Sequence, residues 1–308
     1  MSASFPNVFA KSMKRLSVII VTYRSERDIY DCLRSLWQHC DIPKEQLEVI
    51  VVDNSPESDG MFARLRQLYG QELLLIHNTH NGGYGQGNNV GIRQASAPVI
   101  LIMNPDVRLI EPVFKSAVEA FENDTALCMY GMKQMLSDTV KSPLSFDCTN
   151  AMNGYAAPVV SSLCNKLDLF LPRWMYLSGA CFFIRKQPFE EIGLFDEDVF
   201  MYGEENDIHA RMVQRFGPHM IFNRHLRYVH LTLGRPTSPD TQKKMLASLV
   251  LTNGKRGISA KHTLTNRLHY FRTRWLSARV KQWLGRNNAE HLAGIETIIK
   301  ELKSQLQQ

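Results

Sequence analysis

The chain has 308 residues, 44% of them hydrophobic and 21% charged, with a formal net charge of +6. That length allows one large α/β domain or a domain with an appendage, and the ordinary composition excludes a disordered or fibrous chain. No apolar run reaches signal-peptide or membrane-spanning length, and the six cysteines form no Cys-x-x-Cys and sit among no histidines at metal spacing. Reduced thiols in the cytosol and no structural zinc are expected.

Residues 16–23 (LSVIIVTY) are an apolar run that stops in a polar turn, Thr22-Tyr23-Arg24-Ser25. Such a run reads as a strand buried on both faces. Ile29, Cys32, Leu33, Leu36 and Trp37 then recur at helical spacing over 28–40. A second apolar strand, 47–52, ends in Asp53-Asn54-Ser55; a helix is expected over 60–69 and a third strand over 73–76. Next comes the Gly- and Asn-rich segment 80–89, opening a helix that runs to about residue 95. The strand 99–103 ends in Asn104-Pro105-Asp106, where Pro105 removes the ladder donor. Strands alternating with helices predict a mainly parallel sheet with helices on both faces.

The carboxyl edge of such a sheet is a single crevice where ligands bind. Thr22 and Tyr23 are placed there to meet a base or ribose. Asp53 can accept from a pyrimidine ring N–H or a ribose hydroxyl, and Asp106 can hold a divalent cation that in turn holds a diphosphate. A turn-capping Asp is the usual alternative for each alone. The run Gly83-Tyr84-Gly85-Gln86-Gly87 departs from the dinucleotide spacing and does not follow the first strand, so a dehydrogenase is set aside. Its N–H groups and the amides of Asn81, Asn88 and Asn89 are instead suited to face a diphosphate or sugar.

A helix (112–122) and a short strand (127–131) follow. Residues 132–175 are poorly patterned and read as a loop on the acceptor side. Residues 176–186 (YLSGACFFIRK) read as one strand, opened by small residues at Ser178-Gly179-Ala180 that admit a ligand close to the backbone. In 193–207 six residues are acidic, and Glu204, Glu205 and Asp207 fall at the start of a helix, where the dipole favours anions. Their flank is apolar (Phe195, Val199, Phe200, Met201, Tyr202), so a carboxylate there can serve as a general base. His230 follows a short strand, 226–229.

Taken in order, VTY (21–23), VVDNS (51–55), NGGYGQGNNVGI (81–92), MNPDV (103–107), SGACFFIRK (178–186), FEEIGLFDEDVFMYGEENDI (189–208) and YVH (228–230) resemble glycosyltransferase family 2. The resemblance is closest to the rhamnosyltransferase-like branch of that GT-A fold. It implies a metal-dependent, inverting transferase that moves a sugar from a nucleoside diphosphate to a hydroxyl, over a catalytic domain at 16–238. By position, Asp53 would recognise the base, and Asp106, closing the Asn104-Pro105-Asp106 variant of the Asp-x-Asp element, would bind Mg²⁺ or Mn²⁺ together with His230. Glu205, with Glu204 second, would be the base, although Glu stands where the family has Asp. Thr22, Tyr23, Arg24, Asn81, Gly82, Gly83, Gly85, Gln86, Asn89, Asn104, Ser178 and Gly179 would surround the donor. The first-choice donor is dTDP-L-rhamnose and the second a UDP-hexose; a noncatalytic nucleotide-sugar binder is the alternative class. The acceptor is expected to be a lipid-linked O-antigen or other surface-polysaccharide intermediate.

Two flanking regions complete the reading. Residues 1–15 form an N-terminal arm. Residues 239–308 form a basic helical extension, with no Asp or Glu from 241 to 289. Leu264, Leu268, Phe271, Trp275 and Ala278 follow 3–4 spacing among arginines and Lys281. That stripe either lies on the cytoplasmic leaflet of the inner membrane, through 255–286, or packs on the catalytic domain. A polar helix over 290–308 offers an oligomer contact. No recognisable nucleic-acid-binding motif accompanies the basic charge, and no nucleic acid is expected.

Overall fold

The computed structural model describes residues 14–56, 60–231, 239–285 and 288–307. The expected arm lies outside them apart from Lys14 and Arg15, and so does residue 238, where the catalytic domain is expected to end. Strands β1 (Leu16–Thr22), β2 (Leu47–Asp53), β3 (Leu73–His77) and β4 (Val99–Met103) run parallel, in the order β3-β2-β1-β4. The helices joining them are α1 (Glu26–Gln38), α2 (Met61–Tyr69) and α3 (Tyr84–Gln94). Past β4 come β5 (Val107–Leu109), α4 (Phe114–Asn123), β6 (Met129–Met135), β7 (Phe146–Cys148), α5 (Ala157–Leu167), β8 (Met175–Leu177), β9 (Cys181–Arg185) and α6 (Lys186–Glu191). The remaining elements are α7 (Glu204–Phe216), β10 (Met220–His230), α8 (Pro239–Lys255), α9 (Ala260–Trp283) and α10 (Ala289–Gln307). The full sheet continues β4-β9-β6-β10-β5, with β9 antiparallel to both neighbours.

Alternation within the apolar runs explains why both sheet faces are covered. Val18, Ile20, Val49, Val51 and Leu101 pack under Ile29, Leu33 and Leu36 of α1 and Phe114, Val118 and Phe121 of α4. Their neighbours Ile19, Ile50, Val52, Ile100 and Ile102 pack on the other face against Ile92 of α3 and Ile208, Met212 and Phe216 of α7. Each such side chain removed from water contributes roughly 1.5–3 kcal/mol, which holds the strand ends in fixed register.

The second half departs from the expected pattern in three places. The single strand expected over 176–186 is two: β8 pairs with β7 in a small separate sheet, and β9 joins the main one. The strand expected over 226–229 begins at Met220 and carries a bulge between Asn223 and Arg227. Residues 132–175 are not a loop but hold β7, α5 and β8 around Phe146, Cys148, Ala157, Cys164 and Met175. The face α5 buries consists of Ala157, Ser161, Cys164 and Asn165, so hydrophobicity does not mark it.

The expected apolar stripe of α9 is buried. Leu264, Leu268, Phe271 and Ala278 pack with Leu246 of α8 and Leu292, Ile295 and Leu302 of α10. That stripe is therefore covered by α8 and α10 rather than lying open. Among the described residues no helix is long and apolar enough to cross a membrane. All six cysteines are free thiols.

Candidate functional site

A cleft of about 740 Å³ opens at the carboxyl ends of β1 and β4 and the amino end of β9. Met103 pairs with Cys181, so Asn104-Pro105-Asp106 leaves the sheet beside Ser178-Gly179-Ala180, and the Asn104 N–H donates to the Ala180 carbonyl at 2.8 Å. Val21, Thr22 and Tyr23 line one side of the cleft, with Asn54, Asn81 and Gly83. Asn104, Pro105, Ser178, Gly179, Glu204, Glu205 and His230 line the centre, and Phe146, Asp147, Tyr176 and Met245 the far side.

The Gly-rich segment is held by the chain before α7. Gly83 adopts φ +98°, and a Cβ there would lie 1.9 Å from the Phe200 carbonyl oxygen. The Tyr84 N–H donates to that same oxygen at 3.0 Å. The Tyr84 hydroxyl crosses to the Gly179 carbonyl at 2.9 Å. Asn54 Nδ2 donates to the Gly83 carbonyl at 3.1 Å. Three expected donor contacts are corrected here. Asn89 spends both ends of its amide on the backbone of Phe195, at 3.0 Å each, and also donates to Glu197. Gln86 accepts from Asn78 at 2.7 Å and packs on Gly82, and Gly85 lies against Phe195. These residues build the loop rather than face the cleft: the segment 195–200 occupies the side Asn89 and Gly85 point to, and Gln86 turns back onto Asn78 and Gly82.

Neither Asp53 nor Arg24 lines the cleft. The Asp53 Oδ1 accepts from Thr22 Oγ1 at 3.0 Å and from the Ser55 hydroxyl at 2.8 Å, and the residue is buried. Arg24, at φ +51°, bonds Ser55 Oγ through its N–H and lies over the Tyr23 ring. Thr22 thus connects Asp53 to the cleft surface.

Glu204 and Glu205 open α7 directly after two left-handed residues, Tyr202 (φ +74°) and Gly203 (φ +96°). A positive φ at tyrosine is uncommon and costs energy, as strained backbone at functional sites does. It turns the chain so that the first helical turn faces the cleft. A Cβ on Gly179 would fall 2.1 Å from Glu205 Oε1, so only glycine lets that carboxylate rest on the β8–β9 turn. Burial raises the Glu205 carboxyl above the usual carboxylate range, and backbone hydrogen bonding at Glu205, Gly179 and Gly203 opposes it. Glu204 is more enclosed: burial, then the neighbouring Glu205 charge, push it up to about 8. Its Oε1 is buried with no hydrogen-bond partner among the described residues. Two adjacent carboxyls in one enclosed site do not both ionise readily. Burial raises both carboxyls, so the pair keeps a proton above the ordinary carboxylate range.

Asp106 Oδ1 lies 3.2 Å from His230 Nε2. The Leu231 N–H, donating to the Asp106 carbonyl at 3.0 Å, ties the end of β10 to this turn. Among the described residues no three His, Cys, Asp or Glu converge on a common point. One carboxylate and one imidazole are too few to enclose a cation by themselves; Mg²⁺ or Mn²⁺ there would need water or a bound ligand to complete its shell.

Sequence reasoning missed Asn54, Tyr84, Phe146, Asp147, Tyr176 and Met245 as cleft residues. Asn54 adjoins Asp53 and was within reach of the motif. Asp147 and Tyr176 meet only through the β7–β8 register, which no local pattern announces.

Comparison with known proteins places this geometry. The model of glycosyl transferase family 2 matches residues 17–193. The low-salt glycan biosynthesis hexosyltransferase Agl10 of Haloferax volcanii is 29% identical over 210 residues, 62% of this chain and 59% of that protein. The chain thus spans about three fifths of that relative's length. The mannosyltransferase PcManGT of Pyrobaculum calidifontis, solved with GDP-Man and Mn²⁺, superposes with a TM-score of 0.58 at 15% identity, over 99% of this chain and 89% of that one. The first 349 residues of TarS from S. aureus, solved with UDP-GlcNAc, give a TM-score of 0.54 at 16% identity, over 94% and 80% of the two chains. The fold is GT-A-like, a mixed and mostly parallel sheet with C-terminal helices, and the chain belongs to glycosyl transferase family 2.

Proposed function

We propose that the chain is an inverting glycosyltransferase that moves a sugar from a nucleoside diphosphate to a hydroxyl of a saccharide acceptor. The observation that carries this reading is the Glu204–Glu205 pair, with Glu205 resting on Gly179, in the same cleft as Thr22, Tyr23 and His230. Glu205 takes the proton of the acceptor hydroxyl as its oxygen bonds to the anomeric carbon. The bond from that carbon to the diphosphate oxygen breaks, and the nucleoside diphosphate leaves with the electron pair. Glu204, protonated, leaves Glu205 as the single negative charge of the pair. Asp106 and His230 would hold Mg²⁺ or Mn²⁺, which when bound supplies positive charge beside a diphosphate. Thr22 and Tyr23, backed by Asp53, receive the nucleoside, while Asn81, Gly83, Asn104, Ser178 and Gly179 border the sugar and phosphates. Holding both reactants in one orientation contributes roughly 7–11 kcal/mol toward the barrier.

The first donor is dTDP-L-rhamnose, on the Asn104-Pro105-Asp106 element. A UDP-hexose is the second, favoured by the hexosyltransferase relative and by the UDP-GlcNAc complex of TarS. The acceptor is a lipid-linked O-antigen or similar surface-polysaccharide intermediate, worked on at the cytoplasmic face of the membrane. Calorimetric titration with dTDP-rhamnose and UDP-sugars, with and without Mn²⁺, tests the reading. Binding that strengthens with Mn²⁺ and loses that gain in Asp106→Ala supports it. Equal affinity in both proteins removes Asp106 from the metal role.

A further inference from the structure

Two apolar ridges lie exposed on the outside of the molecule, and they adjoin. On α5, Val159, Leu163 and Leu167 recur at four-residue spacing and are all exposed. On α9, Leu276, Val280, Trp283 and Leu284 do the same at 3–4 spacing, with Trp283 84% exposed. Tyr155, one turn before Val159, stacks on His269 of α9 with ring centroids 4.1 Å apart. Its carbonyl accepts from the Thr273 hydroxyl at 3.2 Å. Thr273 shares a helical face with Leu276, Val280 and Trp283. The α5 ridge therefore runs into the α9 ridge at Tyr155.

Neither ridge is the face by which its helix is built into the fold. The inner face of α5 packs on β7, and the inner stripe of α9 on α8 and α10. Apolar surface gathered like this on a soluble fold marks an interaction site.

The charge around it selects the partner. Between Asp147 and Glu190 the sequence holds one acidic residue, Asp168, and Lys133 and Lys141 both pair with it. From 241 to 289 there is none, against eleven Lys or Arg. Lys166, Arg173, Arg272, Arg279 and Lys281 are exposed among the apolar residues. A second copy of this chain would set these cations against one another. An anionic bilayer meets both demands, taking the aromatic and aliphatic side chains between its headgroups and the cations against its phosphates.

We infer that α5 and the C-terminal half of α9 together dock on an anionic lipid surface. The helix α5 packs on β7, whose Phe146 and Asp147 line the far side of the cleft. The docked face thus lies beside the part of the cleft left for an acceptor. That last link rests on the transferase reading, whereas the docking does not: vesicle binding is measured without donor or acceptor.

The test is flotation of the full chain with phosphatidylcholine vesicles, with and without phosphatidylglycerol. The protein should float with the anionic vesicles, release as salt is raised, and ignore the neutral ones. The double variant Leu163→Glu/Leu167→Glu should weaken binding at least about tenfold, and Trp283→Ser on its own severalfold. Both should keep the wild-type melting temperature and donor hydrolysis. If the α5 variant folds but floats like the wild type, α5 is not part of the surface and the inference fails. It fails equally if no vesicle is bound. A concentration-dependent dimer that these same variants dissolve would assign the face to a second copy instead.

Discussion

Replacing Glu204 by Gln should make the protein more stable than the wild type at pH 8, although it removes an ionisable group from a helix start. Burial and the Glu205 charge hold the Glu204 carboxyl at about 8, against 4.5 for a free one. Below the lower value both folded and unfolded chains carry the proton, and the folded state bears no penalty. As the pH rises from 4.5 towards 8, the unfolded chain gives up its proton and the folded one keeps it, so unfolding is progressively favoured. The separation corresponds to at most about 5 kcal/mol, at 1.36 kcal/mol for each pH unit. Part of this disappears when Glu205 takes a proton, and water at the cleft side offsets some of the burial, leaving about 2 kcal/mol. For a protein of this size that is about 4 °C in melting temperature. Gln keeps the shape of the side chain and cannot ionise. Thermal melts of wild type and Glu204→Gln from pH 5 to 8.5 read the difference directly. The two curves should diverge with rising pH, the variant melting higher at the alkaline end. Parallel curves would refute the assignment of the proton to Glu204.

Two further outcomes follow from the packing. Gly179→Ala places a methyl group where Glu205 Oε1 now lies, so turnover should fall 100-fold or more, of the order contributed by a general base. An active Gly179→Ala would show that Glu205 works elsewhere. Asn89→Ala strips both partners from the Phe195 backbone, which should cost about 2–3 kcal/mol in denaturant unfolding. It should leave donor affinity per folded molecule unchanged; a specific loss of affinity would restore Asn89 to the donor site.

The parallel half of the sheet was legible because each strand is a short apolar run closed by a polar turn, and buried strands leave that trace. The carboxylates at the strand ends were legible for the same reason. What failed was non-local or inverted. Residues 176–186 look like one strand, yet β8 and β9 join different sheets, and only the small residues between them hint at it. In α5 the buried positions are Ala157, Ser161, Cys164 and Asn165 while its leucines face out, so periodicity pointed nowhere. The spacing of the α9 stripe matches the positions that are buried, but whether α8 and α10 or a bilayer covers it is set by tertiary packing, and Leu276, Val280 and Trp283 lie outside it. Asn89 and Gln86 sit in a segment that looks made for a ligand, but Phe195 and Glu197 claim Asn89 and Asn78 claims Gln86 first.

The most direct test of the transferase account is release of nucleoside diphosphate from dTDP-rhamnose and UDP-sugars, with Mn²⁺ and a saccharide acceptor, by wild type, Glu204→Gln and Glu205→Gln side by side. The account predicts release by the wild type and by Glu204→Gln, and loss of release in Glu205→Gln with donor binding intact. A dead Glu204→Gln beside an active Glu205→Gln would move the base to the other carboxyl. No release from any donor by the wild type would contradict transfer at this cleft and leave a nucleotide-sugar binder.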